Sequence, residues 1–438
     1  MKKIGLFSLL LVLLCSAVAT AEERTWQDES IYVVTVDRFN NGDNTNDTDV
    51  NFNNPEGYYG GDFVGIAKRL EYMKEMGHTA IRLSPILQSE DYAGEKVTDY
   101  TKLNKHFGTE EDLKALVSDI HKQDMKIVVE LMVMPALEAE AIAAGKWLVS
   151  EFGIDAIQLK KSSAVTSEFV SRFTEEVKSV NKDAAVFNFQ AEESIDGFMD
   201  DAYYNELVKA LVKPDQSLKS LYEASENADG LHYMDNADTR RFVNRVLEGN
   251  ENLAIRLKMA LMYMYTTPGI PSVYYGTEIA LNGGETPDNR KLMDFKPDKK
   301  FLEYISRIGQ MRQKLPVLRH GDIEFLYEKD GMLVFKRTYK DEVAVVAINN
   351  TTSTQKVQLT NDQLPEGKQL FGAFEEDIVR GSDDGYEVIL DRETSNVFLV
   401  REKTGLNYGF IAGVLAVPIF FFFLFWYMKK RGERREKQ

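Results

Sequence analysis

Residues 153–161, Gly153-Ile154-Asp155-Ala156-Ile157-Gln158-Leu159-Lys160-Lys161, hold a glycine turn, a short apolar run and a pair of lysines. A parallel strand covered on both faces reads as a near-continuous apolar run. The stretch therefore predicts a buried strand that delivers its last side chains to a rim. Comparable runs lie on either side of it, at 30–37, 78–83, 126–131, 184–189, 197–204, 230–235 and 269–278. Helical periodicity separates several of them, at 63–76, 136–152, 166–180 and 301–315. Strand–helix alternation of this kind predicts an α/β chain folded as a (β/α)8 barrel over residues 22–318. Beyond it the pattern shortens to alternating segments at 332–337, 342–348, 356–359, 388–390 and 396–400, parted by Asn, Gly and Asp turns. Residues 319–403 therefore predict an antiparallel β-sandwich.

The two ends of the chain read differently from its middle. Met1-Lys2-Lys3, an apolar run over 4–18 and Ala19-Thr20-Ala21 have the parts of a secretory signal peptide, residues 1–21. The one cysteine, Cys15, lies inside it, and Leu14 precedes it where a lipid anchor would need a small residue. The mature chain would then hold neither disulfides nor thiolate metal ligands. Residues 408–428 are uncharged, long enough for a bilayer core that needs ~20 residues. Trp426 and Tyr427 sit at the edge, and Lys429, Lys430, Arg431, Arg434, Arg435 and Lys437 follow. These features predict a transmembrane anchor over 404–428 and a basic cytoplasmic tail over 429–438. Signal and anchor together predict a single-pass cell-membrane protein whose N-terminal domains face outward. The net charge of −16 argues against a nucleic-acid binder, which carries a basic face.

One loop is dense in oxygen-bearing side chains: Arg38-Phe39-Asn40-Asn41-Gly42-Asp43-Asn44-Thr45-Asn46-Asp47. Such a loop suits a hard cation such as calcium, and it equally suits an ordinary Asn/Asp turn. No nucleotide loop, zinc-ligand spacing or Gly-x-Ser-x-Gly elbow occurs in the sequence.

The chain resembles the α-amylase family of glycoside hydrolases over residues 26–403, closest in outline to its cyclodextrin-forming and maltogenic branch. The opening stretch resembles that family's Gly-Ile-Asp-Gly-Phe-Arg-Leu-Asp. Gln158 then stands where the family has its arginine, and Lys160 where it has its nucleophilic aspartate. Tyr92-Ala93-Gly94-Glu95 through Asp99-Tyr100 resembles Tyr-His-Gly-Tyr…Asp-Tyr, with Ala93 and Glu95 in place of sugar-holding groups; Tyr92 and Tyr100 are the candidate substrate-binding aromatics. Met134-Pro135 replaces the usual Asn-His, and Asn188-Phe189 replaces the Gly-Glu that supplies the general acid. Asn236-Ala237-Asp238-Thr239-Arg240-Arg241-Phe242 keeps Asp238 but loses a histidine to Ala237. As a lone rim aspartate, Asp238 reads as a structural residue, such as a helix cap or a partner for Arg241. The sizeable insertion that amylases carry between the third and fourth strands is missing. The resemblance also implies a structural calcium held by Asn41, Asp43, Asn46, Asp47, the Gly60 carbonyl and Asp62, because Gly60-Gly61-Asp62 closes the family's loop.

Retaining glycoside hydrolysis needs two carboxyl groups about 5–5.5 Å apart, one attacking the anomeric carbon and one protonating the leaving oxygen. At the family's positions this chain has an ammonium, Lys160, and an aromatic ring, Phe189. The substitutions predict a membrane-tethered amylase-like protein that has lost hydrolysis and serves α-glucan (maltooligosaccharide) recognition or a protein partner. The amylase-like heavy subunits of amino-acid transporters, also tethered and catalytically depleted, are the analogy for the partner role. The contrary expectation is an active α-glucan hydrolase with relocated carboxylates, Glu192 and Glu193 being nearest to the lost acid.

Overall fold

The computed structural model describes residues 24–193, 195–226, 230–403 and 408–435. The predicted signal peptide, residues 1–21 with Cys15, lies outside the described residues. So do residues 404–407 and 436–438 of the predicted anchor and tail.

Eight parallel strands close into a barrel. They are β1 (Ile31–Val34), β2 (Ala80–Leu83), β3 (Lys126–Leu131), β4 (Ala156–Leu159), β5 (Ala185–Asn188), β6 (Gly197–Met199), β7 (Gly230–His232) and β8 (Ile270–Tyr274). Each pairs with its sequence neighbours, and β8 returns to β1. The local chemistry of β4 shows how the sequence sets these strands. Helix Glu138–Phe152 ends on Gly153, whose left-handed backbone (φ 72°, ψ 33°) caps the helix and reverses the chain. The Asp155 carboxylate then accepts a hydrogen bond from the Ile127 amide (2.8 Å), pinning β4 to β3 before the apolar run begins.

Register fixes which side chains face inward. Val128 pairs with Ala156 and Glu130 with Gln158. Ala156 pairs in turn with Ala185, and Gln158 with Phe187. Because strand side chains alternate with a period of two, Glu130, Gln158 and Phe187 share the barrel interior. Lys160 and Phe189, two residues on, share the mouth. At the other end the Phe187 ring packs edge-on against Trp26, 4.9 Å between centroids.

Several strands are shorter than the apolar runs predict, in two cases because a helix starts early. The run at 30–37 ends as strand at Val34, and residues Val36–Phe39 turn into a helical segment. The run at 197–204 is strand only to Met199; Asp200 accepts from the Tyr203 amide (2.9 Å) and opens helix Asp201–Leu211. The run at 230–235 is strand only to His232. Residues 63–76 form two helices, Phe63–Ala67 and Leu70–Glu75, rather than one. Thr109 caps helix Glu110–Lys122 reciprocally with Asp112, as its acidic first turn suggests. Short loops replace any insertion between β3 and β4, leaving only helix Glu138–Phe152 there.

After helices Lys299–Lys314 and Pro316–His320 the chain forms a six-stranded antiparallel sheet and a two-stranded one. Val345, Ala347 and Phe398 from the larger meet Val357, Leu359, Tyr386 and Val388 from the smaller in a common core. This is the predicted sandwich, with strands at Asp322–Lys329, Lys368–Gly372 and Ile378–Arg380 that the sequence pattern alone does not single out. The last element is helix Tyr408–Arg435. Its window Ala412–Lys429 has mean hydropathy 1.8 and none of it is buried, so it is long and apolar enough to cross a membrane.

Candidate functional site

The C-terminal ends of the barrel strands surround a cleft of about 250 Å³. Lys160 enters it from the end of β4, its side chain only 10% exposed. Its ammonium lies 3.2 Å from Asp238 Oδ2, 3.4 Å from Glu95 Oε1 and 3.9 Å from Glu130 Oε2. Two arginines complete the cluster. Arg290 Nη2 donates to Glu95 Oε1 (2.7 Å) and to Asp238 Oδ1 (3.0 Å), while Arg82 Nε stands 3.2 Å from Glu130 Oε1. Three cations and three carboxylates thus alternate across the mouth, and the cluster closes on itself without a ligand.

Electrostatics hold the Lys160–Asp238 pair ionised. Burial opposes the charge on Lys160, but Glu130, Asp238 and Glu95 outweigh it and keep its pKa above that of an ordinary lysine. Burial likewise acts to raise Asp238, yet Lys160 and Arg290 hold its carboxyl below the ordinary range. Around neutral pH Lys160 and Asp238 are therefore both charged and paired with each other.

Phe189 lines the same cleft, and Lys161 stands 5.9 Å from its ring centroid. Gln190 turns away and donates to Glu192, whose carboxylate also accepts from Ser167 (3.1 Å). Glu192 and Glu193 are not among the residues lining the cleft. Asp238 neither caps a helix nor pairs with Arg241; its partners are Lys160 and Arg290. Asp235 takes the capping role by accepting from the Phe242 amide (2.8 Å), and Arg241 is bound by the Asn289 and Tyr275 carbonyls instead. Ala237 contributes its carbonyl, which accepts from Arg290 Nε at 2.8 Å.

The two candidate aromatics are buried beneath the mouth. Tyr92 is 4% exposed, with the Arg38 guanidinium 3.7 Å from its ring centroid. Tyr100 is 5% exposed and braces the segment that follows β3, its hydroxyl donating to the Met132 carbonyl (2.8 Å) and accepting from the Met134 amide (2.9 Å). Neither turns an open ring face to solvent. Arg82, Glu130 and the ionic roles of Glu95 and Arg290 went unrecognised in the sequence. Arg82 and Glu130 did leave a trace there: each is a lone charge inside an apolar strand, near its C-terminal end.

The oxygen-rich loop brings part of the expected calcium set together. Asn41 and Asp47 are hydrogen-bonded (2.8 Å), and a Cβ placed on Gly60 would fall 2.5 Å from Asp47 Oδ1. Only a glycine fits there, so backbone and carboxylate approach closely. Asn46 Oδ1 is buried without a hydrogen-bond partner, an unmet acceptor of the kind a hard cation satisfies. Asp62 faces inward, accepting from the amides of Gly42, Asp43 and Gly65, and Asp43 accepts from Thr45. Among the described residues no three His, Cys, Asp or Glu side chains cluster as a metal site, so the amide and carbonyl oxygens matter. The candidate donors are all oxygen, the ligand class that calcium takes.

Comparison with known proteins bears directly on the barrel and its neighbour. The alpha amylase catalytic-domain family matches residues 33–135 and 149–354, and the alpha-amylase C-terminal domain family matches 321–398. The α-amylase of Geobacillus thermoleovorans, solved in complex with acarbose, is 40% identical with a TM-score of 0.82 over 87% of this chain and 100% of that one. An Anoxybacillus α-amylase is 39% identical, TM-score 0.83, over 88% and 100%. The beta/alpha-amylase of Paenibacillus polymyxa is 26% identical over 86% of this chain, which spans only 38% of that larger protein. The maltogenic alpha-amylase of Bacillus acidopullulyticus is 23% identical, over 77% of this chain and 72% of that one. The chain belongs to the α-amylase family of glycoside hydrolases.

Proposed function

We propose that this protein is a cell-surface member of the α-amylase family that binds α-glucan, or a partner through the same face, without hydrolysing it. The observation that carries this reading is Lys160. Its ammonium occupies the end of β4 inside the cleft, held by Asp238, Glu95 and Glu130. A cation there opposes the positive charge that develops on an oxocarbenium-like sugar. It also offers no anionic oxygen to trap that sugar. Phe189, just past the end of the neighbouring strand β5, has no proton to give.

A second reading rests on one distance relation. Glu95 and Asp238 both lie within 3.0 Å of the same Arg290 nitrogen, so their oxygens are less than twice that far apart. That overlaps the roughly 5–5.5 Å separation of a retaining pair. Spacing is not sufficient, because both carboxylates are already engaged by Arg290 and Lys160. The test is hydrolysis of maltodextrin and nitrophenyl maltosides. We expect no turnover above background; a rate abolished by Glu130→Gln, Asp238→Asn or Glu95→Gln would establish the relocated-carboxylate enzyme instead.

Calcium would be held by Asn41, Asp43, Asn46, Asp47, the Gly60 carbonyl and Asp62. It would supply structural cross-linking of the loop and no chemistry at the mouth. Helix Tyr408–Arg435 would anchor the chain in the cell membrane, with the basic residues from Lys429 onward on the cytoplasmic side. The relatives named for maltogenic and α-amylase activity support the glucan as ligand class.

A further inference from the structure

A second cavity, of about 540 Å³, opens at the other end of the barrel. His78 reaches it from just before β2, and Gln123 from just before β3. Lys74 comes from the end of helix Leu70–Glu75, and Arg319 from helix Pro316–His320, which leads into the C-terminal domain. These are the N-terminal ends of the strands. The chemistry of such barrels belongs to the opposite face, and the cavity shares no lining residue with the cleft at the mouth.

Three polar atoms on its lining residues are buried without a hydrogen-bond partner: His78 Nε2, Gln123 Oε1 and Arg319 Nε. His78 is 1% exposed, and its Nδ1 is hydrogen-bonded to Ser30 Oγ (3.1 Å). Arg319 Nη1 is spent on Asp28, whose carboxylate also meets His320 Nε2 (2.7 Å). Arg24 is likewise taken up, by Glu29 (2.7 Å) and Asp124 (2.9 Å). Of the lining lysines and arginines only Lys74 is left without a carboxylate partner among the described residues. Buried donors and acceptors are nearly always satisfied, so three orphans round one cavity call for a guest. Water can complete hydrogen bonds, but it cannot balance a charge. Here the lining bases Arg24, Lys74 and Arg319 outnumber the acids Asp28 and Asp124, in a chain whose net charge is −16.

We propose that this cavity binds a small organic oxyanion, a carboxylate or a phosphate, through the Lys74 ammonium and the free Arg319 Nε–H. A guanidinium keeps its charge and can only donate, so its orphan edge requires an acceptor. Gln123 Oε1 requires the reverse, a donor such as a hydroxyl on the same ligand. The neutral His78 ring presents an N–H or a lone pair at Nε2 according to its tautomer, and so adapts to either. The volume is that of a small-molecule pocket, ~300–1,000 Å³, so the charged group is one end of a larger molecule. The site stands independently of the glucan reading.

The test is calorimetric titration of the full chain in a non-ionic detergent, at constant ionic strength, with citrate and with inorganic phosphate as probes. Wild type is compared with Lys74→Gln, Lys74→Arg and Lys182→Gln, the last removing a surface lysine (89% exposed) that does not line the cavity. Lys74 is exposed, so its variants should fold normally. The expected result is saturable heat in wild type and an affinity about fivefold weaker in Lys74→Gln, the worth of one solvent-accessible ion pair. Lys74→Arg and Lys182→Gln should keep the wild-type affinity. Heat with citrate alone would assign a carboxylate ligand, and heat with phosphate alone a phosphate. Absence of heat with both probes would overturn the site. So would equal affinity in wild type and Lys74→Gln, or an equal loss in Lys182→Gln, which would reduce the effect to overall charge.

Discussion

Replacing Lys160 by methionine keeps most of the side chain's volume and removes its charge, leaving Asp238, Glu95 and Glu130 converging on an apolar thioether. Their distances from the ammonium, 3.2, 3.4 and 3.9 Å, correspond to roughly 4–5 kcal/mol of gross attraction each at an effective dielectric near 20. Most of that is offset by the hydration the ammonium loses on burial. Removing one member of a buried ionic cluster costs about 3–5 kcal/mol, because the remaining charges stay behind unneutralised. Arg290 and Arg82 still neutralise part of the cluster, and Asp238, 57% exposed, can rehydrate. The estimate for Lys160→Met therefore sits at the lower end, about 3 kcal/mol. Urea unfolding of the full chain in detergent, followed by circular dichroism, measures it. The deficit should narrow as pH falls through the carboxylate range, since protonation relieves the unneutralised acids. In the wild type the depressed Asp238 carboxyl contributes stability that is present above its unfolded value near 4 and lost only below that. The raised Lys160 contributes stability that is lost only as pH rises past the ordinary lysine range. A Lys160→Met chain as stable as wild type at pH 7 would show that the ionic cluster does not hold the mouth together.

Other expectations are more local. Thr109→Ala removes a reciprocal cap with Asp112 and should cost about 1 kcal/mol in the same urea assay; no loss would mean the cap is replaced by water. Burial holds His232 neutral with a pKa pushed down to about 3, Arg312 and Arg337 adding to the effect. Its contribution is complete above pH 6.5 and is lost as pH falls toward 3, so His232→Phe should flatten that slope by roughly 1.4 kcal/mol per pH unit. Chelation should lower the unfolding temperature and added calcium restore it, an excess of about 100-fold over Kd being worth about 2.7 kcal/mol. A melting curve indifferent to both would remove the metal from the loop at Asn41–Asp47.

The sequence by itself determined the barrel, the sandwich and the family, because apolar periodicity and short blocks such as 153–161 are local properties. It also pointed to Lys160 and Phe189 as neighbours at one rim of the barrel, since register follows from strand parity once the fold is known. Strand ends were less legible: Asp200 halts β6 by capping a helix, and that competition is settled only when the helix can dock. The role of Asp238 was not legible at all. Its sequence neighbour Arg241 is the obvious partner, yet folding brings Lys160 and Arg290 to it from other loops. Glu95, Glu130 and Arg82 joined the same cluster from three separate segments. Ion pairs act over a few ångströms in space regardless of separation along the chain, so only the closed barrel could decide that six scattered charges would neutralise one another across a single mouth.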